Sequence, residues 1–194
     1  NLLFESCSGG GGRFDAGMLY YTPQIWCSDN TDAIERIKIQ YGTSFAYPSC
    51  TVGSHVSAVP NHQTGRTTEL AARAAVAMAG SFGYELDLNL LTEEEKEQVR
   101  KQIENYHRFE MLIRQGRYYR LTDVWKKHEY AAWEYCRPDG SEALVTVVTL
   151  DTQCNPATEY VKLRGLKEDT KYRVEVVGTK TDGTNGQRIN ETPN

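Results

Sequence analysis

The 194-residue sequence predicts an α/β fold followed by an antiparallel β-sandwich domain. In residues 1–116, strand-like apolar segments alternate with helical segments, an order typical of parallel β/α units. After Gly116 the helical pattern stops and strand-like segments follow one another. We therefore divide the chain into a β/α part, residues 1–116, and an antiparallel part, residues 117–194.

In the β/α part, strands are expected at residues 2–5, 24–27 and 51–56. A short helical segment at 15–21 ends before Pro23, and a helix over 33–38 is expected to be capped by Thr31 or Asn30. An alanine-rich helix is predicted over 67–79. A long charged helix begins with the capping box at Thr92 and runs to about Gln115.

In the antiparallel part, the expected strands are residues 118–121, 131–135, 143–148, 160–163 and 172–177. Turn residues such as Pro138-Asp139-Gly140 separate them. The tail from Gly178 is rich in Thr, Gly and Asn and is expected to be frayed.

Composition excludes several function classes. A hydrophobic share of 39% and a charged share of 25% are typical of a soluble globular protein. The net charge of −4, without a basic stripe, argues against nucleic acid and anionic membranes as partners. No apolar segment approaches the roughly 20 residues that cross a bilayer, so no membrane association is expected.

The five cysteines are odd in number, scattered and without a CxxC pair, which favours reduced thiols and a cytoplasmic protein. No zinc site and no cofactor are predicted. The first residues lack the features of a signal peptide and there is no initiator Met. A chain that opens directly on a strand-like segment suggests the middle of a longer protein.

Two segments are candidates for chemistry. The glycine run 9–12 follows a predicted strand, where backbone amides can approach a ligand, although the Lys-Ser/Thr of a phosphate-binding P-loop is missing. A flexible surface loop is the alternative. Asp29 is the first carboxylate after the next strand, on the side where β/α barrels place active sites, or else a helix cap. Asp32 is assigned to the first helical turn, where it offsets the helix dipole.

Other reactive side chains are given structural roles. His55 and His62 are seven residues apart, with no carboxylate at metal-binding spacing, so they are predicted to be loop residues. Cys7 has no His or Asn arrangement around it that would make a thiol nucleophile.

Taken together, residues 5–15, 17–21, 23–24, 26, 28–33, 35–36, 38–42 and 55–66 resemble glycoside hydrolase family 36, the microbial α-galactosidases. The resemblance is dense over roughly the first seventy residues. It implies the last strands (six to eight) of a (β/α)8 barrel, followed by the family's C-terminal antiparallel β-sandwich.

The resemblance also implies a retaining mechanism with two carboxylates, in which Asp29 is the acid/base. Cys7, Ser8, Gly9 and Gly10 correspond to the family's galactose-binding loop and are expected to contact the substrate. The family's nucleophile lies in a Lys-Trp-Asp segment that this sequence lacks, so the chain alone is expected to be inactive.

The implied substrates are melibiose, raffinose-type oligosaccharides and related α-galactosides, and the full-length enzyme is expected to be a homo-oligomer. Two alternatives stay open. One is an α-N-acetylgalactosaminidase, which would differ at the pocket for the sugar C2 group. The other is a non-catalytic carbohydrate-binding module that uses Trp125, Trp133 or nearby tyrosines.

Overall fold

The described residues form two β-sheets. The computed structural model describes residues 2–7, 9–151, 154–155 and 158–177. The first sheet is parallel with strand order β1-β2-β3-β4. Its strands are β1 (Glu5–Ser6), β2 (Gln24–Trp26), β3 (Val52–Ser57) and β4 (Ser81–Glu85).

Helices follow the parallel strands. They are α1 (Met18–Tyr21), α2 (Ala33–Thr43), α3 (Leu70–Ala77) and α4 (Glu93–Gln115), with 3-10 turns at Ser49–Thr51 and Leu88–Leu90. Helix α4 begins with the predicted capping box, since Thr92 accepts from the Glu95 N–H while the Glu95 side chain accepts from the Thr92 N–H. In the described part of the chain, no helix is long and apolar enough to span a membrane.

The sequence pattern missed strand β4. Its segment Ser-Phe-Gly-Tyr-Glu has a glycine at its centre, which weakens strand propensity. In the structure Gly83 lies beside the His55 ring, and a Cβ there would come 2.9 Å from the His55 Cδ2. The described residues thus hold four parallel strands, and the implied count of three, strands six to eight, was wrong.

The second sheet is antiparallel, with strand order β5-β6-β7. Its strands are β5 (Arg117–Arg120), β6 (Tyr130–Cys136) and β7 (Ala143–Thr149).

The strands predicted at 160–163 and 172–177 are absent from the structure. Residues 158–177 are mostly exposed, so little burial favours a second layer there. Hydrogen bonds connect this segment to the antiparallel sheet instead: the Arg164 N–H donates to Glu134 Oε2 (2.7 Å), and Tyr172 Oη donates to the Gly140 carbonyl (2.6 Å). The tail from Gly178 lies outside the described residues.

The larger hydrophobic core of the described residues joins the helices to the antiparallel sheet. It combines residues of α2, α3 and α4 with inward-facing residues of the antiparallel sheet: Ile37, Val76, Phe109, Leu112, Ile113, Trp133, Tyr135 and Val148. Tyr135 is fully buried there, and its hydroxyl donates to the Ala79 carbonyl at 2.6 Å. Burial raises the pKa of Tyr135, so this hydroxyl stays a neutral donor.

The alternation of side chains along β3 fixes which face of the parallel sheet is available for a site. Val56 points to the helical side and packs with Leu70, Ala74 and Val99. His55 points to the opposite face, where its ring lies 4.8 Å from that of Trp26 between centroids. The helices therefore pack against the face of β3 that carries Val56, and His55 lies on the opposite face.

We expect the 194-residue chain expressed by itself to be poorly soluble or to melt without cooperativity. The reason is that β1 and β4 are edge strands of the parallel sheet and leave backbone groups unpaired. Size-exclusion chromatography and a thermal melt followed by near-ultraviolet circular dichroism would check this. A monomer with a sharp cooperative transition would contradict the prediction.

Candidate active site

The glycine loop after β1 follows a backbone path that requires glycine. Gly9, Gly10 and Gly11 have φ angles of 59°, 56° and 90°, the left-handed region that side chains disfavour. A Cβ on Gly11 would collide with the Cys27 carbonyl at the end of β2, so the loop lies directly against that strand end. The loop closes with hydrogen bonds from Gly12 N to Gly9 O (3.1 Å) and from Phe14 N to Gly11 O (3.0 Å).

Asp29 lies where this loop meets the segment after β2. A Cβ built on Gly10 would come 3.4 Å from Asp29 Oδ2 and 3.2 Å from its backbone N. The carboxylate is exposed at the carboxyl end of the strand. The structure therefore brings Asp29 and Gly10 together, and any side chain at position 10 would crowd the carboxylate.

The other residues expected to contact substrate are Gly9, Cys7 and Ser8, and the structure describes the first two. Gly9 is exposed, and a Cβ there would meet no atom within 4 Å, so the loop borders open space. Cys7 is an exposed, free cysteine, whereas the preceding Ser6 is buried. Ser8 lies outside the described residues.

Asp32, rather than Thr31 or Asn30, caps helix α2. Its Oδ1 accepts the N–H groups of Ile34 (2.8 Å) and Glu35 (3.2 Å). The expected cap was wrong because Asp32 has extended backbone angles and is the residue before the first turn.

The loop after β3 closes over this cap. Thr64 Oγ1 donates to Asp32 Oδ2 and Arg66 Nη1 to Oδ1, both at 2.5 Å, while the Asn61 amide donates to Thr31 Oγ1 at 3.0 Å. The loops that follow β2 and β3 are thus joined by side chains that lie about thirty positions apart in the sequence.

Asp32 is almost fully buried yet remains ionised. Burial by itself raises the pKa of its carboxyl, but hydrogen bonds from Thr64, the Glu35 N–H, Arg66 and the Ile34 N–H outweigh it and lower the pKa below the ordinary value. The charge is therefore part of the folded loop structure at neutral pH.

Arg36 lies beneath the Asp29 segment with only 3% of its surface exposed. Its Nη2 donates to the Ser28 carbonyl (2.7 Å) and its Nε to the Asn30 carbonyl (2.8 Å). Nη1 reaches the Gly53 carbonyl (3.1 Å) and Cys27 Sγ (3.2 Å). Burial lowers the pKa of Arg36, opposed by the charges of Cys27, Glu85 and Asp29.

The face of the parallel sheet that carries His55 also has the carboxylates of Glu5 and Glu85 near it. The pKa of His55 is lowered by burial, although the carboxylates of Glu5 and Glu85 act in the opposite direction. His62 is exposed at the tip of the next loop, so the two histidines do not share a site. Within the described ranges, no group of three His, Cys, Asp or Glu side chains could hold a metal ion.

Sequence reasoning missed Arg36 and the partners of Asp32. A signal for Arg36 existed: it is the charged residue among the buried positions Ala33, Arg36 and Ile37 on the core-facing side of α2. A charge at a core position needs hydrogen-bond partners, and those partners had to come from elsewhere in the chain. No comparable local signal points from Asp32 to Thr64 or Arg66.

Comparisons with known proteins agree with this architecture. The model of the Melibiase family matches residues 1–116, and that of the glycosyl hydrolase family 36 C-terminal domain matches residues 130–188. The chain is 58% identical over 183 residues to the bifunctional α-galactosidase/sucrose kinase AgaSK of Mediterraneibacter gnavus, covering 94% of this chain and 20% of the relative. It is 51% identical over 178 residues to α-galactosidase AgaA of Geobacillus stearothermophilus, covering 92% and 24%.

A solved structure of that Geobacillus enzyme in complex with stachyose aligns with a TM-score of 0.87 at 51% identity, over 91% of this chain and 24% of the other. These matches confirm the predicted fold class, the C-terminal portion of a (β/α)8 barrel followed by an antiparallel β-sandwich domain. The chain spans between a fifth and a quarter of the length of these relatives.

We expect Asp32→Asn to weaken folding by about 1–2 kcal/mol at neutral pH, because an amide cannot accept from two N–H groups, Thr64 and Arg66 as a carboxylate does. Because the folded-state pKa is lowered, this stabilisation is present above the unfolded pKa of about 3.9 and disappears as pH falls through the folded value. The difference between parent and variant should therefore shrink below about pH 4.

The measurement is the thermal unfolding midpoint between pH 3 and 7 of a chimera in which this chain replaces the matching segment of AgaA. Asp139→Asn is the matched control, since Asp139 is an exposed turn aspartate whose carboxylate, within the described ranges, accepts hydrogen bonds from Ser141 alone. A difference that does not change with pH, or an equal loss in the control, would contradict the prediction.

Proposed function

The chain belongs to glycoside hydrolase family 36, the melibiase family, and we propose that it supplies the acid/base half of a retaining α-galactosidase active site. The observation that carries the proposal is the meeting of Asp29 with the glycine loop at Gly10. A carboxyl group beside an open, amide-rich loop is suited to a sugar whose ring hydroxyls need donors while its glycosidic oxygen needs a proton.

Asp29 would act twice. In the first step its carboxyl group gives a proton to the glycosidic oxygen while a carboxylate from another segment attacks the anomeric carbon and the bond to the leaving sugar breaks. In the second step Asp29, now a carboxylate, takes a proton from the water that hydrolyses the glycosyl-enzyme. The net configuration is retained because each step inverts the anomeric carbon.

The surroundings of Asp29 support this role. The carboxylate is exposed and, among the described residues, accepts no hydrogen bond, so it is open to a substrate oxygen and to water. Gly9 borders open space on the loop side and Gly10 packs against Asp29. We propose that both glycines and Cys7 contact the galactosyl group, with Ser8 completing the segment.

For the whole protein we propose α-galactosides of the melibiose and raffinose type as substrates, since solved AgaA structures contain raffinose and stachyose. We further propose a barrel part ending at residue 116, a sandwich part over 117–194, a cytoplasmic location and a homo-oligomeric full-length enzyme. The change from helix to antiparallel strands at Gly116 supports the boundary.

We expect Asp29→Asn in the AgaA chimera to lower kcat/KM for melibiose by about 10²–10⁴-fold, because proton donation to a sugar leaving group is lost. A dinitrophenyl α-galactoside, whose leaving group departs without a proton, should lose far less in the first step. Azide should restore turnover of that substrate and give α-galactosyl azide, since an anion needs no general base.

Asp139→Asn is again the control and should leave both rates unchanged, since the Asp139 side chain lies in an exposed turn and accepts hydrogen bonds from Ser141. Equal losses on the two substrates, or no effect of azide, would rule out Asp29 as the acid/base. A chimera that prefers an aryl α-N-acetylgalactosaminide over the galactoside would favour the alternative specificity.

We expect the 194-residue chain alone to show no turnover of an aryl α-galactoside, because an acid without a nucleophile cannot form the covalent intermediate. Turnover that Asp29→Asn abolishes would contradict this. The carbohydrate-binding alternative predicts retention on immobilised galactan instead. The burial of Trp133 in the core argues against this alternative. Trp125, which stacks on Phe45, is exposed and is the tryptophan that such a module would use.

A further inference from the structure

We propose that Arg36 is the positioning residue of the acid/base, acting through the backbone on both sides of Asp29. This inference rests on the proposed function of Asp29. Arg36 does not contact the carboxylate by a hydrogen bond or a close ion pair within the described residues. Its contacts are instead with the peptide groups that determine where that carboxylate points.

The guanidinium binds the two carbonyls that flank Asp29. Nη2 takes the Ser28 carbonyl and Nε takes the Asn30 carbonyl, at 2.7 and 2.8 Å. Because these two acceptors bracket the residue, the backbone at position 29 cannot rotate without breaking one of them. The planar fork of arginine suits this task, since its donors lie in fixed directions.

The same group is anchored on its other sides. Nη1 donates to the Gly53 carbonyl on β3 at 3.1 Å and to Cys27 Sγ at 3.2 Å, and the guanidinium carbon lies 4.4 Å from the centre of the Trp26 ring. Arg36 therefore connects the Asp29 segment to β3, through Gly53, and to β2, through the Trp26 ring.

The exposure of Asp29 makes such anchoring consequential. With no hydrogen bond to its carboxylate in the described part of the chain, the direction of the side chain depends on the backbone that carries it. A proton donor must lie within hydrogen-bond reach of the oxygen it protonates, and displacement by about 1 Å can cost up to a hundredfold in rate.

Arg73 offers a matched comparison. It too is a buried arginine of a helix, and it binds the carbonyls of Ser57 (2.5 Å), the last residue of β3, and of Thr68 (2.9 Å), in the segment before α3. Its acceptors do not flank Asp29. Arg36→Lys and Arg73→Lys thus remove the same guanidinium fork from equally buried sites, and only the first should disturb the proton donor.

The experiment compares kcat/KM for melibiose and for a dinitrophenyl α-galactoside in the AgaA chimera. All contacts of Arg36 described above lie inside this chain, so the chimera preserves them. We expect Arg36→Lys to raise the ratio of dinitrophenyl to melibiose activity by roughly tenfold or more, through kcat rather than KM. Arg73→Lys should change that ratio less than about twofold, whatever its effect on stability.

The outcomes separate the two proposals. If Asp29→Asn changes the substrate ratio but Arg36→Lys slows both substrates equally, the positioning role is wrong and the acid/base assignment stands. If Asp29→Asn itself does not change the ratio, the proposed function fails first. Should Arg36→Lys not fold, Arg36→Gln removes the buried charge and is tested at 15 °C. If both variants fail to fold, Arg36 has a purely structural role and the proposal is overturned.

Discussion

The arrangement of the segment after β2 against β3 depends on the hydrogen bonds of the buried Arg36 guanidinium. Taking a charge out of water is costly unless its donors are satisfied. Here four acceptors surround it, three from the loop between β2 and α2 and one from β3, and the Trp26 ring of β2 lies nearby. Removing any one of these elements would leave a buried donor unpaired, so the charge couples their positions.

A second buried charge, the Asp32 carboxylate, joins the loops that follow β2 and β3. Asp32 ends the same loop by capping α2 and is held in turn by Thr64 and Arg66 from the loop after β3. Arg36 and Asp32 therefore hold the segment that carries Asp29 from below and from the side. The glycine loop approaches from β1 and needs no side chain to do so, because its backbone packs on the Cys27 carbonyl.

The antiparallel sheet supports this site from a distance. Its inward-facing residues share one hydrophobic core with α2, α3 and α4. The Tyr135 hydroxyl also donates a hydrogen bond to the carbonyl of Ala79, which follows α3. The helix that carries Arg36 is thus fixed on both faces, by the parallel strands on one side and by the sandwich domain on the other. This packing explains why a barrel segment and an antiparallel domain occur together in one folded unit.

Local patterns in the sequence were sufficient for the alternation of strands and helices, the capping box at Thr92, the antiparallel strands β5 to β7, and the placement of Asp29 at a strand end. These features depend on neighbours within a few residues, where side-chain period and turn chemistry act directly. The family resemblance of residues 5–66 added the roles expected for Asp29 and the glycine loop.

The tertiary structure alone decided the rest. Strand β4 contains Gly83, which lies beside the ring of His55 on the neighbouring strand. Residues 158–177 form no strands and are mostly exposed. Arg36 finds one of its four acceptors, Gly53, 17 positions away, and Asp32 finds Thr64 and Arg66 at 32 and 34 positions. Such pairings depend on which strand ends meet in space, and a sequence encodes that meeting only through the packing of the whole fold.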